Sequence, residues 1–144
     1  MITVDQILNE KGRDVATISS QKTLSAAAAM LDEKRIGAVV ALTENGETCG
    51  VLSERDIVRH FARSGADALN MTVEDAMTRA VITIEPTETV ESGLSLMTDR
   101  RIRHLPVVSS GALVGLVSIG DLVKWKMADT EAEAEAMKSY IASG

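Results

Sequence analysis

Two hydroxyl and carboxylate pairs stand at identical spacing in this chain, Ser53-x-x-Asp56 and Ser118-x-x-Asp121. The context repeats too. Gly50-Val51-Leu52-Ser53-Glu54-Arg55-Asp56-Ile57-Val58-Arg59 is echoed by Gly115-Leu116-Val117-Ser118-Ile119-Gly120-Asp121-Leu122-Val123-Lys124. Each reads as a buried strand entering an amphipathic helix, and a repeat of this kind governs every local reading. Two chemistries fit the pair. In one, the Ser hydroxyl caps the helix and the Asp three residues on reaches back to the cap amide, a capping box with Asp in the usual Glu or Gln place. In the other, a small ligand sits where the strand stops, with free helix amides facing an anion and the carboxylate accepting from a ribose diol. One place can serve both.

Other chemistries find little support. His60 and His104 have no Cys, His or carboxylate at metal-ligand spacing, so neither a metal nor a catalytic residue is expected. Walker loop, G-x-G-x-x-G, nucleophile elbow and H-E-x-x-H motifs are absent. The single Cys49 excludes an intrachain disulfide and points to a reducing cytoplasm. A net charge of −6 over 144 residues argues against a nucleic-acid surface, and the aromatics Phe61, Trp125 and Tyr140 are too few for base-stacking platforms. No apolar run is long enough to cross a membrane, and Met1-Ile2-Thr3-Val4-Asp5 lacks the regions of a signal peptide. The expectation is a soluble, cytoplasmic, non-enzymatic protein.

The elements that must position the two pairs also come in duplicate. Thr3 to Leu8 and Thr72 to Met77 read as short helices. Val15-Ala16-Thr17-Ile18 and Val81-Ile82-Thr83-Ile84 read as strands, each followed by a polar turn. Helices are predicted over Leu24 to Lys34, around the run Ala26 to Ala29, and over Val90 to Arg100, with Val90, Leu94 and Met97 on one face. Arg35 to Leu42 and Arg101 to Val108 are continuous apolar strands, the kind buried on both faces. Glu44-Asn45-Gly46-Glu47 and Ser109-Ser110-Gly111 supply hairpin turns to strands at Thr48 to Leu52 and Ala112 to Val117. Ser64 to Asn70 reads as a linker, and a separate helix capped by Thr130 is predicted over Asp129 to Ile141. Residues 1–65 thus form one motif, 66–71 the linker, 72–128 the second motif and 129–144 a terminal helix.

The element order, the duplicated signature and the strand Arg101-Ile102-Arg103-His104-Leu105-Pro106-Val107-Val108 resemble the cystathionine-β-synthase (CBS) domain, and two copies in register resemble a CBS pair, or Bateman module. The resemblance covers nearly everything from Thr3 to about Ala128. It implies an α/β fold (α+β in some schemes) of two β-α-β-β-α units, their sheets face to face about a pseudo-two-fold axis, with two clefts between them. It also implies binding of an adenosine-containing ligand: AMP, ADP or ATP, or in some members NAD(H) or S-adenosylmethionine.

Carried over by position, the resemblance assigns Asp56 and Asp121 to the ribose, with Ser53 and Ser118 near the ribose and α-phosphate. Thr17 and Thr83 fall where the family lines the cleft around ribose or phosphate. Ile36, Gly37 and Ala38 in one copy, and Ile102, Arg103 and His104 in the other, fall along the adenine. Arg55, Arg79, Arg103 and His104 are candidate phosphate cations. The copies differ: Val40 stands where the second has Pro106, Gly37-Ala38 where it has Arg103-His104, and Arg55 where it has Gly120. Unequal sites are therefore expected. The implied role is energy sensing by a stand-alone module with no required cofactor and AMP or ATP as its ligand. It would be a homodimer through the CBS-pair helices, acting on a regulated protein carried by another chain. The competing reading is a ligand-free assembly scaffold, and a weaker one an enzyme acting on adenylate.

Overall fold

Helix starts in this chain are set by hydroxyl side chains. In the computed structural model, which describes residues 1–79 and 81–143, the hydroxyls of Thr3, Thr23, Thr72 and Thr89 accept from the amides of Gln6, Ala26, Asp75 and Ser92. They open α1 (Val4–Lys11), α2 (Leu24–Lys34), α4 (Val73–Ala76) and α5 (Val90–Arg100). Ser53 does the same for α3 (Glu54–Ser64). Each cap satisfies an amide that the first helical turn would otherwise leave open. α2 and α5 end alike, on Arg35 and Arg101 in the left-handed region at φ 53° and 55°. That reversal delays the strands predicted from Arg35 and Arg101, which begin at Ala38 and His104.

The chain divides into two compact units, Val15–Ile82 and a second made of Met1–Asp14 with the chain from Thr83 onward. In the first, β1 (Thr17–Ser19) pairs parallel with β2 (Ala38–Leu42), which pairs antiparallel with β3 (Thr48–Ser53). β2 is buried over Ala38–Ala41, and its core includes Ile18, Leu24, Leu31, Val39, Leu52 and Val73. In the second unit, β4 (His104–Ser109) pairs antiparallel with β5 (Ala112–Ser118), and Val4, Ile7, Leu8, Val90, Met97, Leu105, Val107 and Leu122 are buried.

The units cut the chain differently from the repeat, because each short helix packs in the unit of the other repeat. The amides of Val4 and Asp5 donate to the carbonyls of Glu88 and Pro86, at 2.9 Å each. In the mirror arrangement, the amides of Val73 and Glu74 donate to Lys22 and Ser20 at 2.8 and 2.9 Å. The signature glycines make room for this exchange. A Cβ on Gly50 would lie 2.3 Å from Met77 Sδ and 2.9 Å from the Thr78 carbonyl oxygen, and one on Gly115 2.6 Å from Leu8.

Two sequence expectations, a strand and a separate terminal helix, need correction. Val81–Ile84 is no strand; only Ile84 bridges, parallel to Val107. The reason is Pro106: in the first unit the Val40 amide donates to the Ala16 carbonyl at 3.0 Å, and proline at the equivalent position has no amide to give. The expected linker keeps its place and is wound as a 3-10 helix, Gly65–Asn70. The terminal helix is not separate, because α6 runs unbroken over Ile119–Ser143 with Thr130 in its interior. No Gly or Pro interrupts it after Gly120, and its Ala, Glu, Met and Lys residues favour helix. Both hairpin turns fall where expected: the loop through Glu44 to Glu47, with Gly46 at positive φ, joins β2 to β3, and Ser110 and Gly111, both at positive φ as a type I′ turn requires, join β4 to β5.

Candidate functional site

Each unit brings its predicted residues to one end of its sheet. In the first, β1 and β2 start there and β3 ends there, so Thr17, Ala38 and Ser53 come together, with Ala38 opposite Ser53 in register and Thr17 opposite Val40. Ile36 and Gly37 lie in the turn before β2, and the Gly37 carbonyl accepts from the Glu54 amide at 3.0 Å, tying that turn to the start of α3. The second unit repeats this. His104 lies opposite Ser118, and the Arg103 carbonyl accepts from the Ile119 amide at 2.8 Å. Thr83 adjoins Ile84, whose amide donates to the carbonyl of Pro106 at 3.0 Å. Thr83 and Arg103 are exposed, Ile102 and His104 half-buried and Pro106 buried.

Both capping boxes form. Asp56 Oδ2 accepts from the Ser53 amide at 2.9 Å and from Ser53 Oγ at 3.1 Å, and the Asp56 amide donates back to Ser53 Oγ at 3.3 Å. Asp121 Oδ2 accepts from the Ser118 amide at 2.9 Å, and the Asp121 amide returns a bond to Ser118 Oγ at 3.1 Å. One carboxylate oxygen is therefore committed to the helix start in each copy. The other oxygen, with lone pairs to spare, is the acceptor that a sugar hydroxyl could use.

Cations at the two carboxylates come from different places. Arg59 Nη1 donates to Asp56 Oδ1 at 3.2 Å from one turn along α3, and the Asp56 side chain is 5% exposed. At Asp121 the partner is Lys11, from the end of α1, whose Nζ also donates to the Leu116 carbonyl at 2.8 Å; that carboxylate is 26% exposed. Partial burial pushes the Asp121 carboxyl up, but the hydrogen bonds from Lys11 and from the Ser118 backbone, helped by the Lys11 charge, outweigh it and hold the group below the usual aspartate value.

Sequence reasoning missed both cations. Arg59 could have been found from its three-residue spacing to Asp56 on one helix. Lys11 had no such signal, standing 110 residues from its partner. Of the candidate phosphate cations, Arg55 lies exposed in the first turn of α3, and Arg79 sits 3.7 Å from Glu74. Among the described residues no cluster of His, Cys, Asp or Glu could hold a metal ion, and no helix is long and apolar enough to cross a membrane.

The first unit also carries an open hollow of about 540 Å³ between α2 and α3, lined by Ala28, Leu31, Ile36, Ile57 and Val58, with Asp32, Arg35 and Glu54 at its edge. Val58 in that lining and Phe61, three residues further along α3, are 67% and 53% exposed. An apolar helix face of this kind is uncommon on a surface that stays in water.

Residues 4–63 and 73–128 each match the CBS domain family. Among solved structures, the chain is similar to a CBS-domain containing protein from Agrobacterium tumefaciens, at 39% identity and TM-score 0.82, over 85% of this chain and 91% of that one. A CBS domain protein from Pyrobaculum aerophilum, solved with AMP, is 28% identical with TM-score 0.74, over 83% of this chain and 89% of the other. A CBS domain pair solved with 5′-methylthioadenosine and S-adenosyl-L-methionine is 26% identical with TM-score 0.78, over 90% and 98%.

Proposed function

Since this chain belongs to the CBS domain family, with two motifs in tandem, we propose that it is a regulatory module that binds an adenine nucleotide of the AMP or ATP class and signals the result to a protein on another chain. The carrying observation is the duplicated sheet end, where a hydroxyl, a carboxylate and the turn before β2 or β4 meet a helix start. A ribose offers donors to the second carboxylate oxygen, and the half-buried Ile36 and Ile102 give adenine an apolar edge. Arg55 and Arg103, both exposed, supply charge for phosphate. Similar CBS pairs solved with AMP, and with 5′-methylthioadenosine and S-adenosyl-L-methionine, support an adenosine ligand. No bond is made or broken in this role. The ligand acts by favouring one conformation over another, in the cytoplasm, as a sensor of energy state.

The apolar α2 and α3 face, with Val58 and Phe61 exposed, supports self-association there into a homodimer. A second reading, a ligand-free scaffold, is favoured by one feature: Asp56 is 5% exposed and already bonded through both oxygens. Thermal shift with AMP, ATP and NADH at millimolar concentration separates the two. The sensor requires a rise in Tm that Asp56→Ala or Asp121→Ala abolishes. A flat response to every nucleotide in wild type and both variants establishes the scaffold.

A further inference from the structure

α6 continues to Ser143, well past residue 128 where the family match ends. Its first turns lean on α5: Leu122 is buried, Trp125 and Asp129 are half-buried, and Lys126 Nζ donates to Glu91 Oε1 at 2.8 Å. Beside that face runs a stripe with no cover among the described residues, formed by Val123, Met127, Thr130, Ala134, Met137 and Ile141. The steps between them alternate four, three, four, three, four, the a and d spacing of a coiled coil with Val123 at d. Met127, Met137 and Ile141 are 59%, 60% and 70% exposed, too much apolar surface in a row for a solvated helix.

The charges flanking the stripe say what covers it. Lys124, Glu131 and Lys138 occupy e positions, and Lys126, Glu133 and Tyr140 occupy g. In a parallel pair in register, g of one helix faces e of the next heptad on the other. This sets Glu133 opposite Lys138, of opposite sign and doubled by two-fold symmetry, and brings Glu131 towards Lys126, which keeps its bond to Glu91 of its own chain. An antiparallel pair on the same stripe sets Glu131 against Glu131, Glu133 against Glu133 and Lys124 against Lys138, all of like sign. Lys138 rests 3.6 Å from Glu135 in an exposed pair that holds it only weakly, so it is available to a neighbour.

We propose that α6 pairs with α6 of a second copy of this chain as a short parallel, in-register coiled coil. The stripe spans fewer than three full heptads, too short to hold two chains firmly alone. It acts as a second contact that fixes how two copies face each other. The inference stands apart from the nucleotide reading, since no residue of it belongs to either sheet end.

The test is site-directed crosslinking in the full chain with Cys49→Ser as background. Met137→Cys, at a d position, gives a disulfide-linked dimer on mild oxidation, and Ser139→Cys, on the opposite side of the helix, gives little. Glu133→Lys lowers the Met137→Cys yield several-fold by facing Lys138 with a like charge, and adding Lys138→Glu restores it. All these positions except Cys49 are exposed on one helix, so the fold is kept, and an unchanged Tm verifies it. Absence of crosslink at 137, equal crosslinking at 137 and 139, or a yield indifferent to the charge exchange overturns the parallel pairing. Loss of nucleotide binding in Asp56→Ala or Asp121→Ala leaves these yields unchanged, so the two proposals fail separately.

Discussion

The two sheet ends share one hydrogen-bond pattern and differ in almost everything around it. Asp56 is nearly sealed, 5% exposed, and its cation comes from the next turn of its own helix. Asp121 is 26% exposed and is held by Lys11 of α1, a helix that by sequence belongs to the other repeat. The capping box is local and copied with the motif. Access to the carboxylate is not, because it depends on which neighbouring element was exchanged into the unit and on where that element carries charge. The two carboxylates therefore sit in unequal surroundings, the Asp121 end being the more open.

Substitutions that exchange features between the halves sharpen this comparison. The largest effect is expected at the signature glycines. Gly50→Ala meets the fixed Thr78 carbonyl as well as Met77 and should cost about 3 kcal/mol, while Gly115→Ala meets only the movable end of Leu8 and should cost about 1 kcal/mol, both read from urea midpoints. Equal costs would mean that the exchanged helices pack alike. Next is Val40→Pro, which copies the second half into the first and leaves the Ala16 carbonyl without its donor. About 2 kcal/mol should be lost, and hydrogen exchange at Ile18 and Ser19 should quicken.

A smaller effect is expected at the capping carboxylates. Asp56→Ala should cost about 1 kcal/mol of stability, and more than Asp121→Ala, because the Asp56 carboxylate is nearly sealed and its removal leaves a buried gap. Smallest is Lys11→Met, an exposed partner whose loss should cost less than about 1 kcal/mol at neutral pH. The pH dependence carries the sign. Asp121 titrates lower folded than unfolded, so its contribution is present above the unfolded value of about 4 and is lost as pH falls through the lowered folded value. The stability gap between wild type and Lys11→Met should therefore close on acidification below about pH 4. A gap that stays constant down to pH 2 would detach Lys11 from Asp121.

Much was legible beforehand because it is local. The bounds of α2 and α5, predicted at Leu24 to Lys34 and Val90 to Arg100, agree with the structure residue for residue, since threonine caps and helix-forming runs act within a few positions. The family was legible for the same reason: Gly, Ser and Asp recur in matching order. What failed was longer in range or depended on a neighbour. The strand at Val81–Ile84 was misread because the missing amide belongs to Pro106, on the strand beside it. Thr130 looked like a cap from its type, but the residues before it had already committed to helix.

The amino-acid order alone determined the duplication, the helix starts and the capping box at each repeat, because hydrogen bonds spanning three residues need no distant partner. Only the tertiary structure decided that α1 and α4 trade places, that Gly50 and Gly115 must admit Met77 and Leu8, and that Lys11 rather than a nearby arginine faces Asp121. Those choices follow from which apolar faces could be buried together, a property of the folded chain as a whole that no window of sequence contains.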